Sequence, residues 1–144
     1  MLKTFPTLIT KLTERLVTPE LYYLTASALL TVIWVPYALN YIIVGGLLNA
    51  VGPHADVEGM TGWATRMKNA HTNAIENLVV FAALILVVQA AGANNDTTAM
   101  AAMVFFYARV VHLLTHTFGV PWVHTLAFAA GFGCQVVLAL QVVM

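Results

Sequence analysis

Residues 77–95 read NLVVFAALILVVQAAGANN and contain no Asp, Glu, Lys or Arg. A helix needs about 20 mostly apolar residues to cross the roughly 30 Å hydrocarbon core of a bilayer. Two longer stretches on either side, residues 21–55 and 110–144, are equally free of these four residue types. Because every backbone N–H and C=O must be hydrogen-bonded inside a bilayer, the three stretches predict membrane-spanning helices.

The composition of the whole chain predicts the same class of protein. Of its 144 residues, 60% are hydrophobic and 8% are charged, whereas a soluble domain carries roughly 25% charged residues. A soluble fold of this size leaves too much surface exposed to hide so many apolar side chains. The six Lys and Arg balance the six Asp and Glu, and Cys134 is the only cysteine. These counts argue against a nucleic-acid-binding protein and against a disulfide-stabilised secreted domain.

Turn-forming residues divide the apolar stretches. Gly92 and the asparagines after it end one span, and Gly119 and Pro121 separate the next two. Glycine favours a helix C-cap, and proline is tolerated in the first turn of a helix. Short loops between spans predict an all-α, up-down four-helix membrane bundle over residues 20–144. The four spans are predicted at about 20–48, 65–90, 97–118 and 122–144.

Three local features carry further expectations about the helices. Asp96 or one of the two threonines after it is expected to cap the third span. Pro36 lies inside the first span and is expected to kink it. Gly131 and Gly133 in the fourth span are expected to let another helix approach closely.

The first nineteen residues are predicted to form a separate segment. Phe5, Ile9, Leu12 and Leu16 recur at helical spacing, and the segment lacks the apolar core of a signal peptide. This pattern indicates a short amphipathic helix lying in the membrane interface. A frayed tail is the alternative.

Polar residues inside two of the spans form stripes. In the second span Arg66, Asn69, Asn73 and Glu76 are separated by three or four residues, which places them along one face of a helix. His71 points away from that face. Ionisable groups at membrane depth are costly and usually mark a functional site.

The third and fourth spans carry the matching groups. Arg109, His112 and His116 are again separated by three and four residues, and His124 and Thr125 lie near the start of the fourth span. Because consecutive spans run antiparallel, these clusters and the second-span stripe all lie toward one side of the membrane. We therefore expect a polar pocket there, with Arg109 and the second-span carboxylate facing each other or lining one hydrated cavity.

Two other interpretations of the pocket remain open. The same groups could form an ion-pair and hydrogen-bond network that only holds the bundle together. His112 and His116 have the i, i+4 spacing of metal ligands, which would also suit a haem. Arg109 lies one turn away and would oppose a cation, so no metal is predicted.

Residues 66–81, RMKNAHTNAIENLVVF, resemble the second-helix motif of the MAPEG family, the membrane-associated proteins in eicosanoid and glutathione metabolism. An asparagine, Asn69, stands where that motif has an arginine before Ala-His. Residues 108–112, ARVVH, resemble the third-helix motif, and residues 120–125 occupy the place of a Pro-x-x-Arg segment. The matching positions in the second span are Arg66, Ala70, His71, Asn73, Glu76 and Asn77.

The resemblance implies a bacterial-type member similar to microsomal glutathione transferase, in the inner membrane. It also implies a homotrimer, with glutathione bound between neighbouring subunits as cosubstrate. Its function would be that of a glutathione-dependent transferase or peroxidase acting on lipophilic electrophiles or lipid hydroperoxides. The alternative is a non-catalytic membrane subunit or lipid-binding module of a larger complex, with a structural pocket. The expected cofactor-binding residues are Arg66, Asn73, Glu76, Arg109, His112 and His116, and the expected catalytic residues are His124 and Thr125.

Position 124 departs from the family pattern. Catalytic members stabilise the glutathione thiolate with an arginine near the start of the fourth helix, where this chain has His124 followed by Thr125. Arginine is always charged, whereas histidine titrates near pH 6.5 and is mostly neutral at pH 7. The loss of a fixed charge is expected to weaken thiol activation, because a thiolate needs a positive or strongly donating neighbour.

Overall fold

The structure is a computed structural model, and it describes residues 17–51 and 61–144. The N-terminal segment in which an interfacial helix is predicted lies outside these residues, apart from its last three. Within the described residues, four helical spans are long and apolar enough to cross a membrane, and they confirm the all-α four-helix membrane bundle. Their limits differ from the expected ones by at most three residues: Pro19–Gly45, Gly62–Ala91, Asp96–Phe118 and Val123–Val143.

The first span is not one continuous α-helix. A 3₁₀ turn at Thr31–Ile33 separates Pro19–Leu30 from Trp34–Gly45. Pro36 has no N–H to donate to the carbonyl of Val32, four residues earlier and inside that turn. The expected interruption of the span by this proline is therefore found in the turn before it.

The third span is capped one residue earlier than expected. Asn95 Oδ1 accepts hydrogen bonds from the backbone N–H of Thr97 at 2.8 Å and of Thr98 at 3.1 Å. The Thr98 hydroxyl accepts the Asn95 N–H at 2.9 Å, which completes a capping box. The expectation that one of residues 96–98 would be the cap is wrong, because Asp96 is already helical and Asn95 is extended.

The turn between the third and fourth spans is also longer than expected. Gly119 ends the third span in the left-handed conformation, with φ 72°. Pro121 and Trp122 then form a turn, and the fourth helix begins at Val123, one residue after its expected start. Trp122 itself has φ 67°, a conformation uncommon outside glycine.

The second and third spans form the centre of the bundle. Each packs against both the first and the fourth span, whereas the first and fourth spans do not contact each other within the described ranges. Phe81 and Phe105 stack at the centre, with ring centroids 3.8 Å apart. The buried core comprises Phe81, Ile85, Val88, Ala101, Ala102, Phe105, Cys134 and Leu138.

A buried acid lies at the end of the bundle where the third span begins. Glu20 is 1% exposed, and its Oε1 accepts a hydrogen bond from the Thr98 hydroxyl. The carboxylate lies in the first turn of its own helix, where the unpaired N–H groups stabilise negative charge. Nearby, Asn95 donates to Gln141 Oε1 at 2.8 Å. These polar contacts tie the first, third and fourth spans together at this end.

Replacing Asn95 with alanine should destabilise the bundle. The substitution removes the side-chain acceptor for two N–H groups of the third span, and loss of such a cap costs about 1 kcal/mol. We expect a lower thermal unfolding midpoint in detergent for Asn95→Ala. Thr97→Ala, two residues away at an exposed position, is the matched control. Equal midpoints for the two variants would show that the cap does not stabilise the third span.

Candidate functional site

A polar cavity of about 300 Å³ lies at the opposite end of the bundle, where the second and fourth spans begin and the third ends. Five of the eight candidate site residues line it, and Arg66, Glu76 and Arg109 do not. Asn69 and Phe128 complete the wall. The lining residues are Asn69, Asn73, His112, His116, His124, Thr125 and Phe128.

Arg109 lies directly behind this cavity. Its side chain is 3% exposed, and Nη1 donates to Asn73 Oδ1 at 3.2 Å. Nη2 donates to the backbone oxygen of Phe128 at 3.2 Å. The guanidinium carbon lies 5.3 Å from the centroid of the Phe105 ring, and Nε has no hydrogen-bond partner. The structure thus holds a buried cation that no carboxylate of the described residues neutralises.

Gly131 provides the space for this guanidinium. A Cβ atom added at Gly131 would lie 2.9 Å from Arg109 Cζ and 3.0 Å from its Nε. At Gly133 an added Cβ would meet nothing within 4 Å. The space at Gly131 is therefore filled by the Arg109 side chain of the third span, which packs against the fourth.

Glu76 does not face Arg109 within the chain. It is exposed, and it forms no ion pair with any charged residue that the structure describes. Arg109 is bonded instead by Asn73, and a position three residues further along a helix is rotated by about 60°. The two polar stripes therefore meet through Asn73, and the expected approach of Glu76 to Arg109 is not found. Glu76 points out of the bundle.

Three imidazoles surround the cavity. The ring centroids of His112 and His116 are 5.5 Å apart, those of His116 and His124 are 5.1 Å apart, and those of His112 and His124 are 6.1 Å apart. His124 Nδ1 lies 3.0 Å from the backbone oxygen of Val120. Since a carbonyl only accepts, Nδ1 donates this hydrogen bond, and Nε2 is the ring nitrogen left for another partner.

The histidine cluster is not arranged around a metal ion. Across residues 17–51 and 61–144, no group of three or more His, Cys, Asp and Glu side chains could hold one. Imidazoles offer proton transfer and hydrogen bonding.

Two polar residues of the second span have partners outside the cavity. Arg66 Nε donates to the backbone oxygen of Thr117 at 2.9 Å, which caps the C-terminus of the third span. His71 Nδ1 lies 2.8 Å from the Tyr37 hydroxyl of the first span, away from the Asn73 face as expected.

Sequence reasoning missed three contributors to the site. Phe128 lines the cavity and flanks the guanidinium, and Gly131 makes room for it. Gln135 Nε2 donates to the backbone oxygen of Asn77 at 3.0 Å and joins the fourth span to the second. Only Gln135 carried a usable signal, because it is a polar side chain in the middle of an apolar span.

The space at Gly131 yields a direct prediction. Gly131→Ala should displace the Arg109 side chain from its carbonyl and Asn73 partners, and overpacking of this kind costs about 1–3 kcal/mol. We expect a lower thermal unfolding midpoint in detergent. Gly133→Ala, in the same helix with free space at its Cβ, should leave the midpoint nearly unchanged. If both variants unfold like the wild type, the close contact between residues 109 and 131 does not exist in the membrane protein.

Comparison with known proteins gives one match. No curated protein and no solved structure matches the chain. The model of the MAPEG family matches residues 21–144, which include all but the first two residues of the four spans and all eight candidate site residues. The chain is therefore a multi-pass integral membrane protein that belongs to the MAPEG family.

Proposed function

We propose that this protein is a glutathione-dependent transferase or peroxidase that acts on lipophilic electrophiles or lipid hydroperoxides. The observation that carries the proposal is the cavity in which three imidazoles adjoin a buried, unneutralised guanidinium. A buried charge costs several kcal/mol when it is left unpaired. Membership of the MAPEG family supports a role in glutathione or eicosanoid chemistry at the family level.

Glutathione, which has two carboxylates and one ammonium group, matches the charges around the cavity. Arg109, which is bonded to Asn73 of the cavity wall, would attract one carboxylate. Arg66, which is bonded to the carbonyl of Thr117 next to His116, would attract the other. His112 and His116 would donate or accept hydrogen bonds along the peptide. Cosubstrate binding at these side chains is our proposal for the site.

Glu76 supports a homotrimer in this proposal. Its carboxylate lies near the middle of the second span and is exposed on the single chain. An ionised side chain facing lipid at that depth costs at least about 2.5 kcal/mol. A neighbouring subunit would cover it, and the glutathione ammonium bound between the two subunits would neutralise it.

The chemistry would centre on His124 and Thr125. His124 Nε2 would accept the thiol proton, and the Thr125 hydroxyl would donate a hydrogen bond to the thiolate. The sulfur would then attack the electrophilic carbon of a lipophilic substrate, whose leaving group departs with its electron pair. With a lipid hydroperoxide the sulfur would attack the outer oxygen, and the departing alkoxide would take the proton back from His124.

A lipid-binding module is the second candidate, and a specific observation favours it. A groove of about 490 Å³ runs between the third and fourth spans, and it is lined mainly by small apolar residues such as Ala101, Ala130 and Gly133. In that case the Arg109 contacts would be purely structural. Copurification with a larger membrane assembly, together with no heat of glutathione binding, would favour this function.

Calorimetric titration with glutathione in detergent tests the proposed function. We expect a dissociation constant in the millimolar range or tighter, and conjugation of 1-chloro-2,4-dinitrobenzene above background. His124→Gln should still bind glutathione, as the thiol, but lose about 10²-fold or more in conjugation rate, because the proton acceptor is removed.

His71→Gln is the matched control for that substitution. His71 bonds Tyr37 outside the cavity, so its replacement should leave both binding and conjugation close to wild type. Absence of both heat and conjugation in the wild-type protein would contradict a glutathione-dependent enzyme.

A further inference from the structure

We propose that the three histidines of the cavity form a proton store, so that glutathione binds as a thiolate while its proton stays inside the cavity. The assignment rests on the proposed glutathione site. The proton store involves His112 and His116 as well as His124. Fewer protons would be released to water on glutathione binding than in a site with an arginine at position 124.

The residue type at position 124 decides where the thiol proton goes. A fixed arginine would stabilise a thiolate and let its proton leave to water. A neutral imidazole offers positive charge only after it accepts a proton. In the proposed step the S–H bond of glutathione breaks and an N–H bond forms at His124 Nε2. The thiolate and imidazolium together carry the same net charge as the thiol and imidazole, so no proton is exchanged with water.

The three imidazole rings lie close to one another. The ring of His116 lies 5.1 Å from that of His124, and the ring of His112 lies 5.5 Å from that of His116. No hydrogen bond joins the three rings directly: those of His112 and His116 are stacked with their planes 14° apart, and those of His116 and His124 are nearly perpendicular. In the proposal a bridging water passes the proton between ring nitrogens. No Asp or Glu lines the cavity among the described residues, so the imidazoles are the proton acceptors there.

Charged and titratable groups lie around the histidines on the neighbouring spans. On the second span Arg66 bonds the carbonyl of Thr117, next to His116, and Glu76 points out of the bundle. On the third span Arg109 lies behind the cavity, and on the fourth span Cys134 is the other titratable group near that guanidinium. The first span contributes no lining residue.

These charges couple the proton to the ligand. In the empty cavity a protonated imidazole would meet two guanidinium groups of like charge. An anionic ligand reverses that balance, so ligand binding and imidazole protonation must favour each other by linkage. In this proposal the imidazoles accept the proton only when the anionic thiolate is present, and they hold it while the thiolate stays bound.

Calorimetry in two buffers measures the proton balance without relying on turnover. Wild-type protein is titrated with glutathione at about pH 7 in phosphate and in Tris, whose ionisation enthalpies differ, and the ultraviolet absorbance of the thiolate is recorded. We expect thiolate absorbance with close to zero protons released per bound glutathione.

Two variants and two probes isolate the charge at position 124 and the proton of the thiol. In His124→Arg the thiolate should form beside a fixed charge, and about one proton per glutathione should be released. His71→Gln should behave like the wild type. Glutathione sulfonate, an anion without a thiol proton, should draw a proton from the buffer into the wild-type cavity. S-methylglutathione, whose sulfur is uncharged, should draw fewer.

The outcomes separate the proton store from the glutathione site. Thiolate absorbance with about one proton released by the wild type would overturn the store and leave the site intact. Binding without thiolate absorbance would also overturn it. If neither glutathione nor glutathione sulfonate binds at any pH tested, the proposed function and the proton store both fall.

Discussion

The buried guanidinium of Arg109 is the constraint on which this structure depends. Its hydrogen bonds join the third span to Asn73 of the second and to backbone carbonyls of the fourth, at the point where the cavity begins. Gly131 must lack a side chain to admit it. A desolvated cation without a carboxylate costs free energy that the apolar packing of the bundle must offset. In our proposal a bound anionic ligand offsets this cost.

Most of the fold follows from local features of the sequence. Charge-free runs long enough to cross a bilayer define the spans, and Gly92 and Gly119 end helices in the left-handed conformation that glycine adopts without strain. The errors are at helix starts. Asn95 and the three residues after it are all of types that cap helices well. Which of them is the cap depends on which one has an extended backbone just before the helix, and the sequence does not specify this. Likewise, Pro121 is compatible both with a first helical turn and with the turn that the structure has.

The site was less predictable, because rotation about each helix axis decides it. Spacing placed Asn73 and Glu76 on one face, yet Asn73 bonds the guanidinium while Glu76 points outward. Residue type alone could not show that Gly131 accommodates a side chain instead of a helix. The convergence of the three histidines on one end of the bundle did follow from span order, since antiparallel neighbours bring those ends together. Their ring geometry required the three-dimensional structure.

The central claim is that the cavity beside Arg109 receives an anionic ligand. An experimental structure of the protein in lipid nanodiscs with glutathione tests it most directly. We expect a glutathione carboxylate in charge-assisted hydrogen bonding with the guanidinium, at about 2.7–2.9 Å between nitrogen and oxygen. We also expect the sulfur to lie beside His124. A complex in which the ligand lies elsewhere, with the guanidinium still bonded only to protein groups, would contradict the account.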